Sequence, residues 1–447
     1  MSRRVDVLVV GGGIYGAAVA HEAVRRGASV LLVDRGDVAG GATSNSLKTA
    51  HGGLRYLQSL DLPRFYESVR ERRRWLREAA PWVLPARFEM DPAGRKAAYL
   101  LLFRAGLLAN DLLSAHRNRG VPSERQLPAS RYPTWWDAVF DEPERIVFSL
   151  LRACAAGPGS LEVETYCAAT ELLRDGERVV GAMLADGTRV DCSHVFRCVG
   201  AHRQRERPVL AMNLVLPTLQ LGTGATGIVL THPDDGRNIF VLEWRGHSMV
   251  GTWNRDYPLE PRAPFALRSE WVLEMLRWLA PVHPRLAGLT RHDVKLAHAG
   301  LLPRAPEALG PEPASKRRIE SQPGMSDVIG VKWTTAWGVA DEAVSRVLGP
   351  LTAAQKAAWI PLSELAPEAP RSGEEAFRFA VESEWATRLD DVLLRRLGVA
   401  ATGHPGLRRA EAASVLMQPL LDWSERERLD QLEAFHELPE FSGNVPD

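Results

Sequence analysis

The spacing of apolar and polar positions divides the chain into stretches with different periods. Residues 5–10 (VDVLVV) are β-branched and apolar apart from Asp6, the pattern of a strand buried in a parallel sheet. Gly11-Gly12-Gly13-Ile14-Tyr15-Gly16 follows at once. Residues 17–26 then have small, apolar helical spacing, with Gly27 placed to cap the C-terminus. Residues 29–33 (SVLLV) predict a second strand ending at Asp34. Together these predict a βαβ unit of about 30 residues, the nucleotide-binding supersecondary motif. Leu/Ala periodicity predicts a helix over 95–119. Over 161–198 short β-type runs are separated by Asp175-Gly176 and Asp186-Gly187, both hairpin signals, and the last run, HVFRCVG, ends at Gly200. A second β-rich stretch spans about 214–254, where IFVLEW and SMVGTW flank Arg245-Gly246. A helix is expected at 267–280 and a strand at 327–331, leading through Lys332-Trp333-Thr334-Thr335 into a helix that ends near 348. The final stretch of about 85 residues is helix-rich and charged, broken by Gly398 and Gly403-His404-Pro405-Gly406, and reads as a small separate helical domain.

Composition narrows the class. A chain of 447 residues has room for two or three domains and a sizeable core. With 45% hydrophobic and 25% charged residues it is an ordinary globular sequence, which excludes disordered, collagen-like and coiled-coil classes. Lys+Arg and Asp+Glu both number 55, so no bulk positive field exists to hold nucleic acid. The four cysteines, Cys154, Cys167, Cys192 and Cys198, form no Cys-x-x-Cys pair, so no metal site or redox motif is expected. They are read as buried or incidental thiols in a reducing compartment, the cytoplasm. Arg3 and Arg4 before an apolar run superficially suggest a signal peptide, but Asp6 and the glycines that end the run fit a strand better. No uninterrupted apolar stretch of about 18 residues occurs, and 97–108 is broken by Arg104, so no spanning helix is expected. The arginine-rich stretch 70–77, with Trp75 and Leu76 interleaved, is read as a solvated helix face, against a membrane-surface or partner-binding face.

The glycine string sits where a dinucleotide needs it. Gly11 permits the tight turn, Gly13 lets the backbone approach a pyrophosphate, and Gly16 lets the helix pack close on the strand. The helix N-terminus supplies amide donors and a positive dipole end to phosphates. Asp34 lies 23 residues after Gly11, where an acid accepts from ribose hydroxyls and disfavours the 2′-phosphate of NADP. This unit alone leaves NAD and FAD open. The loop that follows, residues 37–48, is rich in small and hydroxyl residues, with Thr43, Ser44 and Ser46, and suits an extended run along a bound cofactor. His51-Gly52-Gly53-Leu54-Arg55-Tyr56 then places a base and a cation around two glycines, which allow close backbone approach to a planar ring.

At this point the chain resembles the FAD-dependent, aerobic, quinone-linked glycerol-3-phosphate dehydrogenases. The residues that carry the resemblance occur in the family's order: Gly11–Gly16, Ala42-Thr43-Ser44, His51-Gly-Gly-Leu-Arg55-Tyr56, Gly251-Thr252 and Gly330-x-Lys332-x-Thr334-Thr335. The stretch 374–396 and Trp423-Ser424 also resemble that family's helical domain, so nearly the whole chain is covered. The resemblance implies an α/β fold: an FAD-binding Rossmann-type domain assembled from 1–80, 145–213 and 290–350, a β-sheet substrate or cap domain from 81–144 and 214–289, and a C-terminal helical domain from 351–447. It implies FAD as cofactor and oxidation of a secondary alcohol of a small polar substrate by hydride transfer to the flavin. His51, Arg55 and Lys332 would be catalytic: His51 as base or as a structural residue of the flavin loop, Arg55 on a substrate anion or in a salt bridge, Lys332 as a cation beside the flavin. Gly11, Gly13, Gly16, Asp34, Arg35, Thr43, Ser44, Ser46, Lys48, Gly52, Gly200, Gly330, Lys332, Thr334 and Thr335 would bind the cofactor, the two threonines alternatively serving as plain helix caps. Arg55, Tyr56, Leu302 and Arg304 would contact substrate. The implied electron acceptor is a quinone or O2, and a quinone-linked enzyme would sit peripherally on the inner face of the membrane.

The departures from the family pattern concern the substrate. Where the family carries Gly-Val-Arg-Pro-Leu, with its arginine on the substrate phosphate, this chain has Gly300-Leu301-Leu302-Pro303-Arg304. Losing one partner of a desolvated charge pair costs about 2–5 kcal/mol, and Arg304, two residues on, is the candidate replacement. Val331 stands where a glycine is usual, Ala336-Trp337 where Tyr-Arg is common, and Trp253-Asn254 where threonine and aspartate are frequent. The alternatives are therefore a relative repurposed for another polyol, sugar, amine or biosynthetic intermediate, and a flavin-binding protein without turnover.

Overall fold

The computed structural model describes residues 2–80, 82–114, 132–201, 207–221, 224, 226–258, 265–305, 310–358, 362–365 and 369–441. β1 (Ser2–Val10) runs through the glycine turn into α1 (Ile14–Val24) and β2 (Ser29–Val33). A long loop reaches β3 (Thr49–Ala50), α2 (Leu54–Gln58) and α3 (Leu62–Glu78). β4 (Val83–Met90), α4 (Ala97–Ser114), β5 (Thr134–Phe140) and α5 (Pro143–Ala153) follow. Four strands come next: β6 (Ser160–Glu164), β7 (Ala169–Asp175), β8 (Arg178–Leu184) and β9 (Arg189–Arg197). β10 (Val209–Pro217), β11 (Gly227–Thr231), β12 (Asn238–Trp244) and β13 (His247–Asp256) lead to α6 (Ser269–Leu279), α7 (Pro284–Ala287) and β14 (Leu296–Leu302). After β15 (Arg318–Gln322) and β16 (Met325–Ile329) the chain is helical: α8 (Ala336–Leu348), α9 (Ala353–Ala357), α10 (Leu362–Leu365), α11 (Gly373–Glu384), a π-helical turn at Asp391–Arg396, α12 (Leu407–Met417) and α13 (Glu425–His436).

Two eight-stranded sheets organise these elements. The first has the order β15-β16-β9-β1-β2-β6, with the β7–β8 hairpin attached to β9. Its centre, β16-β9-β1-β2-β6, is parallel throughout. Val7, Leu8 and Val9 of β1 are fully buried, as both-face coverage demands. α1 covers this sheet with alanines and packs against α5 and α8. It approaches so closely that a Cβ on Gly16 would lie 1.7 Å from the Gly11 carbonyl oxygen. The second sheet, β14-β10-β13-β12-β11-β4-β5-β3, is antiparallel except where β11 meets β4. The segments 145–213 and 290–350 divide between the sheets: β9, β15 and β16 lie in the first, β10 and β14 in the second.

Several sequence expectations need adjusting. The first helix begins at Ile14 rather than Ala17, because Gly13 is already its N-cap and the end of the glycine string lies within it. The helix expected over 95–119 runs Ala97–Ser114, and 115–119 lie outside the described residues. That helix is, by length and composition alone, long and apolar enough to cross a membrane, contrary to the expectation that no segment would be. The difference arises because it continues past Leu108 and tolerates Arg104 and Asp111. The arginine-rich stretch is not a plain solvated face either. Glu71, Arg72 and Trp75 on α3 are buried, because α3 lies against β5 and the Trp333–Thr335 turn.

The C-terminal helices are bound to the first sheet by buried charge. Arg145 on α5 forms a bidentate pair with Glu384 at the end of α11, with one contact at 2.7 Å. Arg396 and Arg395 both reach Asp37, which follows β2, Arg395 at 2.5 Å. Asp391 accepts from the Tyr166 hydroxyl at 2.5 Å. Burial pushes the Asp37 carboxyl up to about 6, against the pull of Arg396 and Arg395. Breaking a buried pair leaves an uncompensated charge, at a cost of about 3–5 kcal/mol. Glu384→Ala should therefore lower the unfolding free energy measured by urea titration by about 3–5 kcal/mol, seen as a lower midpoint. An unchanged midpoint would show that the Arg145–Glu384 pair does not hold the C-terminal helices.

Candidate functional site

An elongated cavity of about 1400 Å³ runs between the two sheets, larger than the roughly 300–1,000 Å³ typical of a drug-sized ligand site. Its nucleotide end is built at the carboxyl ends of β1, β2 and β9, where ligands collect in open α/β sheets. Gly11, Gly13, Asp34, Arg35, Thr43 and Ser46 line it, and Gly200 joins them after β9. Gly11 has φ +107°, and a Cβ there would lie 2.7 Å from the Cys198 carbonyl oxygen, so glycine is required for the turn. α1 opens at this wall with no side-chain cap from Gly13. Its Ile14 amide donates to the Thr43 hydroxyl at 3.0 Å. Asp34 accepts from the Gly12 amide at 2.6 Å and the Gly36 amide at 2.8 Å, yet burial dominates and raises its carboxyl above the ordinary value. Arg388, Asp390, Arg395 and Glu440 from the helical C-terminus complete this end.

At the other end the wall comes from both sheets: His51, Asn213, Thr252, Phe265, Leu301 and Leu302, together with Gly330, Lys332 and Thr334 after β16. Gly330 is a tight spot, since a Cβ would fall 2.0 Å from the Tyr15 ring, whose hydroxyl donates to the Lys332 carbonyl at 2.6 Å. Lys332 Nζ stands 3.7 Å from the centre of the Tyr56 ring. Burial lowers its ammonium to about 8, with Glu67 pulling the other way and Arg64 and Arg55 adding to the fall.

His51 Nδ1 lies 3.5 Å from Asp137 Oδ2 on β5. Asp137 is buried and heavily engaged: it accepts from the Gly52 amide at 2.5 Å and pairs with Arg72 at 2.5 Å, and its other oxygen accepts from Trp135 Nε1 at 3.2 Å. Burial would push its carboxyl up, but the His51 hydrogen bond and the Arg72 charge outweigh it and hold the group below the ordinary carboxylate value. The arrangement is a half-exposed imidazole with one nitrogen turned to a buried carboxylate. Such a base is oriented and fixed in tautomer by its partner.

Not every expected residue reaches the cavity. Gly16 serves packing, Ser44 bonds within its own loop to the Gly41 carbonyl, and Thr335 lies buried behind Thr334. Gly52 faces the other way, where a Cβ would lie 2.0 Å from the Arg72 guanidinium. Tyr56 lies beneath Lys332 rather than on the wall. Three charged residues need correction. Lys48 is buried behind the loop, where its ammonium binds the Ser44 carbonyl at 2.5 Å and Glu144 at 3.3 Å, so it pins the loop rather than meeting the cavity. Arg55 is exposed on α2 and does not line the cavity, although its charge acts on Lys332. Arg304 is pulled off by Asp256 and by the Gly310 carbonyl at 2.6 Å, while Leu302 keeps its place on the wall.

Sequence reasoning missed Asp137, 86 residues beyond His51 with no motif around it, and the arginines of the helical C-terminus. It also missed the Arg197–Asp327 pair, with contacts of 2.5 and 2.8 Å, which lines the nucleotide end. The one signal available was chain position: Arg197 and Asp327 fall at the end of β9 and within β16, adjacent parallel strands.

A parallel βαβ sheet facing an antiparallel cap sheet across one long crevice defines a dinucleotide-cofactor oxidoreductase architecture. The profile of the family described as FAD dependent oxidoreductase matches residues 6–346. The chain belongs to this FAD-dependent oxidoreductase family, and FAD is its cofactor. It is related to glycerol-3-phosphate dehydrogenases: 27% identity over 382 residues to glycerol-3-phosphate dehydrogenase 2 of Mycobacterium tuberculosis, covering 77% of this chain and 63% of the relative. A mitochondrial glycerol-3-phosphate dehydrogenase of Arabidopsis thaliana is 26% identical over 394 residues, covering 77% of this chain and 61% of its own length. The matched region thus spans less than two thirds of these relatives. Among solved structures, the glycerol-3-phosphate dehydrogenase of Bacillus halodurans complexed with FAD superposes with a TM-score of 0.69 at 18% identity, over 99% of this chain and 96% of that one, and shares the fold. The cavity fits the cofactor: glycines sit where phosphates and a ring need close backbone approach, and Gly13, Ile14 and Tyr15 at the start of α1 line it.

Proposed function

We propose that this chain oxidises the secondary alcohol of a small polar substrate in the manner of a glycerol-3-phosphate dehydrogenase. The observation that carries the reading is His51 on the cavity wall, backed by the buried Asp137. FAD, when bound, supplies the hydride acceptor. The first sheet and the turn after β1 hold its nucleotide, and the second sheet shapes the substrate end. With Nδ1 donating to Asp137, His51 Nε2 is the basic nitrogen and takes the hydroxyl proton. Lys332 supplies a positive charge at the same end. Asn213, whose side-chain oxygen accepts from the Thr252 hydroxyl at 2.8 Å, orients substrate hydroxyls.

A second reading, a less anionic polyol or another substrate of that size, is favoured by one observation. Leu302 stands on the wall where the related enzymes carry a phosphate-gripping arginine, and Arg304 is tied to Asp256 outside the cavity. Steady-state dye reduction with glycerol 3-phosphate, glycerol and longer neutral polyols separates the two. Glycerol 3-phosphate turning over with the highest kcat/KM supports the first reading, and a neutral polyol ahead of it supports the second. In either case His51→Asn should lower kcat about 10²- to 10⁴-fold with FAD retained. Full activity in that variant would remove His51 as the base.

The acceptor we assign is a membrane quinone, with O2 as the alternative. The support is α4, where Leu101 is 72%, Leu102 73% and Leu112 67% exposed, with Arg95, Lys96 and Arg104 on or beside the helix. An apolar face edged by cations suits the interface of an anionic bilayer. The protein should co-sediment with phosphatidylglycerol vesicles, and Leu101→Glu/Leu102→Glu should abolish this without loss of FAD. Sedimentation unaffected by that change would exclude α4 as the contact.

A further inference from the structure

A second cavity of about 490 Å³ lies away from the crevice, where the end of α1, the last turns of α3, α8 and α9 meet. Six cations line it, Arg25, Arg70, Arg73, Arg74, Arg77 and Lys356, against three acids, Glu71, Glu78 and Asp341. In a chain of zero net charge this is a marked local excess. Two of the acids pair with lining cations, Glu71 with Arg70 at 2.9 Å and Glu78 with Arg77 at 2.8 Å, and Asp341 pairs with Arg26 at 2.6 Å, so the six cations exceed the three acids by three charges. Arg74 lines the groove with its guanidinium 4.0 Å from the centre of the Trp337 ring and 3.7 Å from Glu22. Burial lowers its pKa from the ordinary arginine value, with Glu71 and Glu22 opposing the fall and Arg25 adding to it.

We propose that this groove binds a soluble, phosphate-bearing small molecule, gripped by Arg70, Arg73, Arg74 and Arg77 from α3 and by Lys356 from α9. The volume falls in the range of small-molecule sites. Guanidinium forks match phosphate oxygens in pairs, which explains why arginine and not lysine dominates the lining. The groove is also wired to the crevice. Trp75, next to Arg74, donates from its indole nitrogen to the Thr334 carbonyl at 2.8 Å, and Trp75 packs on both Trp333 and Trp337. Ligand drawn onto Arg74 therefore presses on the ring stack that carries Thr334, a residue of the crevice wall.

The test is calorimetric titration of the FAD-loaded protein with tripolyphosphate at constant ionic strength, with tryptophan emission followed in parallel. The expected result is saturable one-site binding with a change in emission. Arg70→Gln/Arg77→Gln, at positions 65% and 68% exposed, should bind on the order of tenfold more weakly for each lost guanidinium. Lys356→Gln, on the short exposed helix, should also weaken binding, and Arg189→Gln, remote on β9, should not. No saturable binding, or equal affinity in all four proteins, would overturn the site. Binding to phosphatidylglycerol vesicles lost with the same substitutions, without binding of tripolyphosphate, would overturn the soluble ligand in favour of a lipid headgroup.

Discussion

A buried carboxylate on β5 holds the catalytic end of the molecule together. Asp137 receives the guanidinium of Arg72 from α3, the backbone amide of Gly52, the Trp135 indole and the His51 imidazole. An ionised carboxylate with no solvent must be satisfied by hydrogen bonds and opposite charge, or it is lost as a charge. Meeting that requirement fixes three pieces of chain, α3, the His51–Gly52 turn and β5, around one atom group. It also explains why Gly52 has to be glycine, since Arg72 occupies the space a side chain would fill. The second sheet, the His51 turn and α3 are thus placed by one electrostatic demand. Their placement sets the mouth of the crevice.

The nucleotide end is held differently. There the work is steric: glycines at the turn after β1 and a helix of alanines packed on the parallel sheet. Charge enters through the Arg197–Asp327 pair and where the C-terminal helices close over this end through Asp37, Arg395 and Arg396. The family profile stops at residue 346, so the arginines of this clasp lie outside the matched region while Asp37 lies within it. Arg395 nonetheless lines the cavity while pairing with Asp37, three residues after Asp34.

Much of this was legible in the sequence, for local reasons. The βαβ unit could be read because strand, glycine turn, helix and acid are contiguous and each glycine has its own steric cause. The β7–β8 and β12–β13 hairpins could be read from Asp175-Gly176 and Arg245-Gly246, whose residues 176, 245 and 246 adopt positive φ. What could not be read is what depends on partners distant in sequence. Lys48 has the right chemistry for a cofactor site and Arg55 for a substrate anion, but the first is taken by Glu144 and the second lies exposed off the cavity wall. Arg304 lies two residues after Leu302 and could have faced the crevice, had Asp256 not claimed it. Asp137 carries no motif, and only the pairing of β5 with β4 and β3 brings it under His51. The arginine-rich face of α3 is amphipathic in sequence, but the burial of Arg72 and the groove around Arg74 are products of packing.

The central claim is that Asp137 orients His51 for proton removal while hydride leaves the substrate. The direct measurement is anaerobic stopped-flow bleaching of the protein-bound FAD by whichever alcohol turns over best, comparing the native protein with Asp137→Asn. The asparagine keeps shape but loses the charge that fixes the imidazole. The account predicts that the variant retains FAD and substrate affinity while the bleaching rate constant falls about 10²- to 10⁴-fold. An unchanged rate constant at saturating substrate would contradict it.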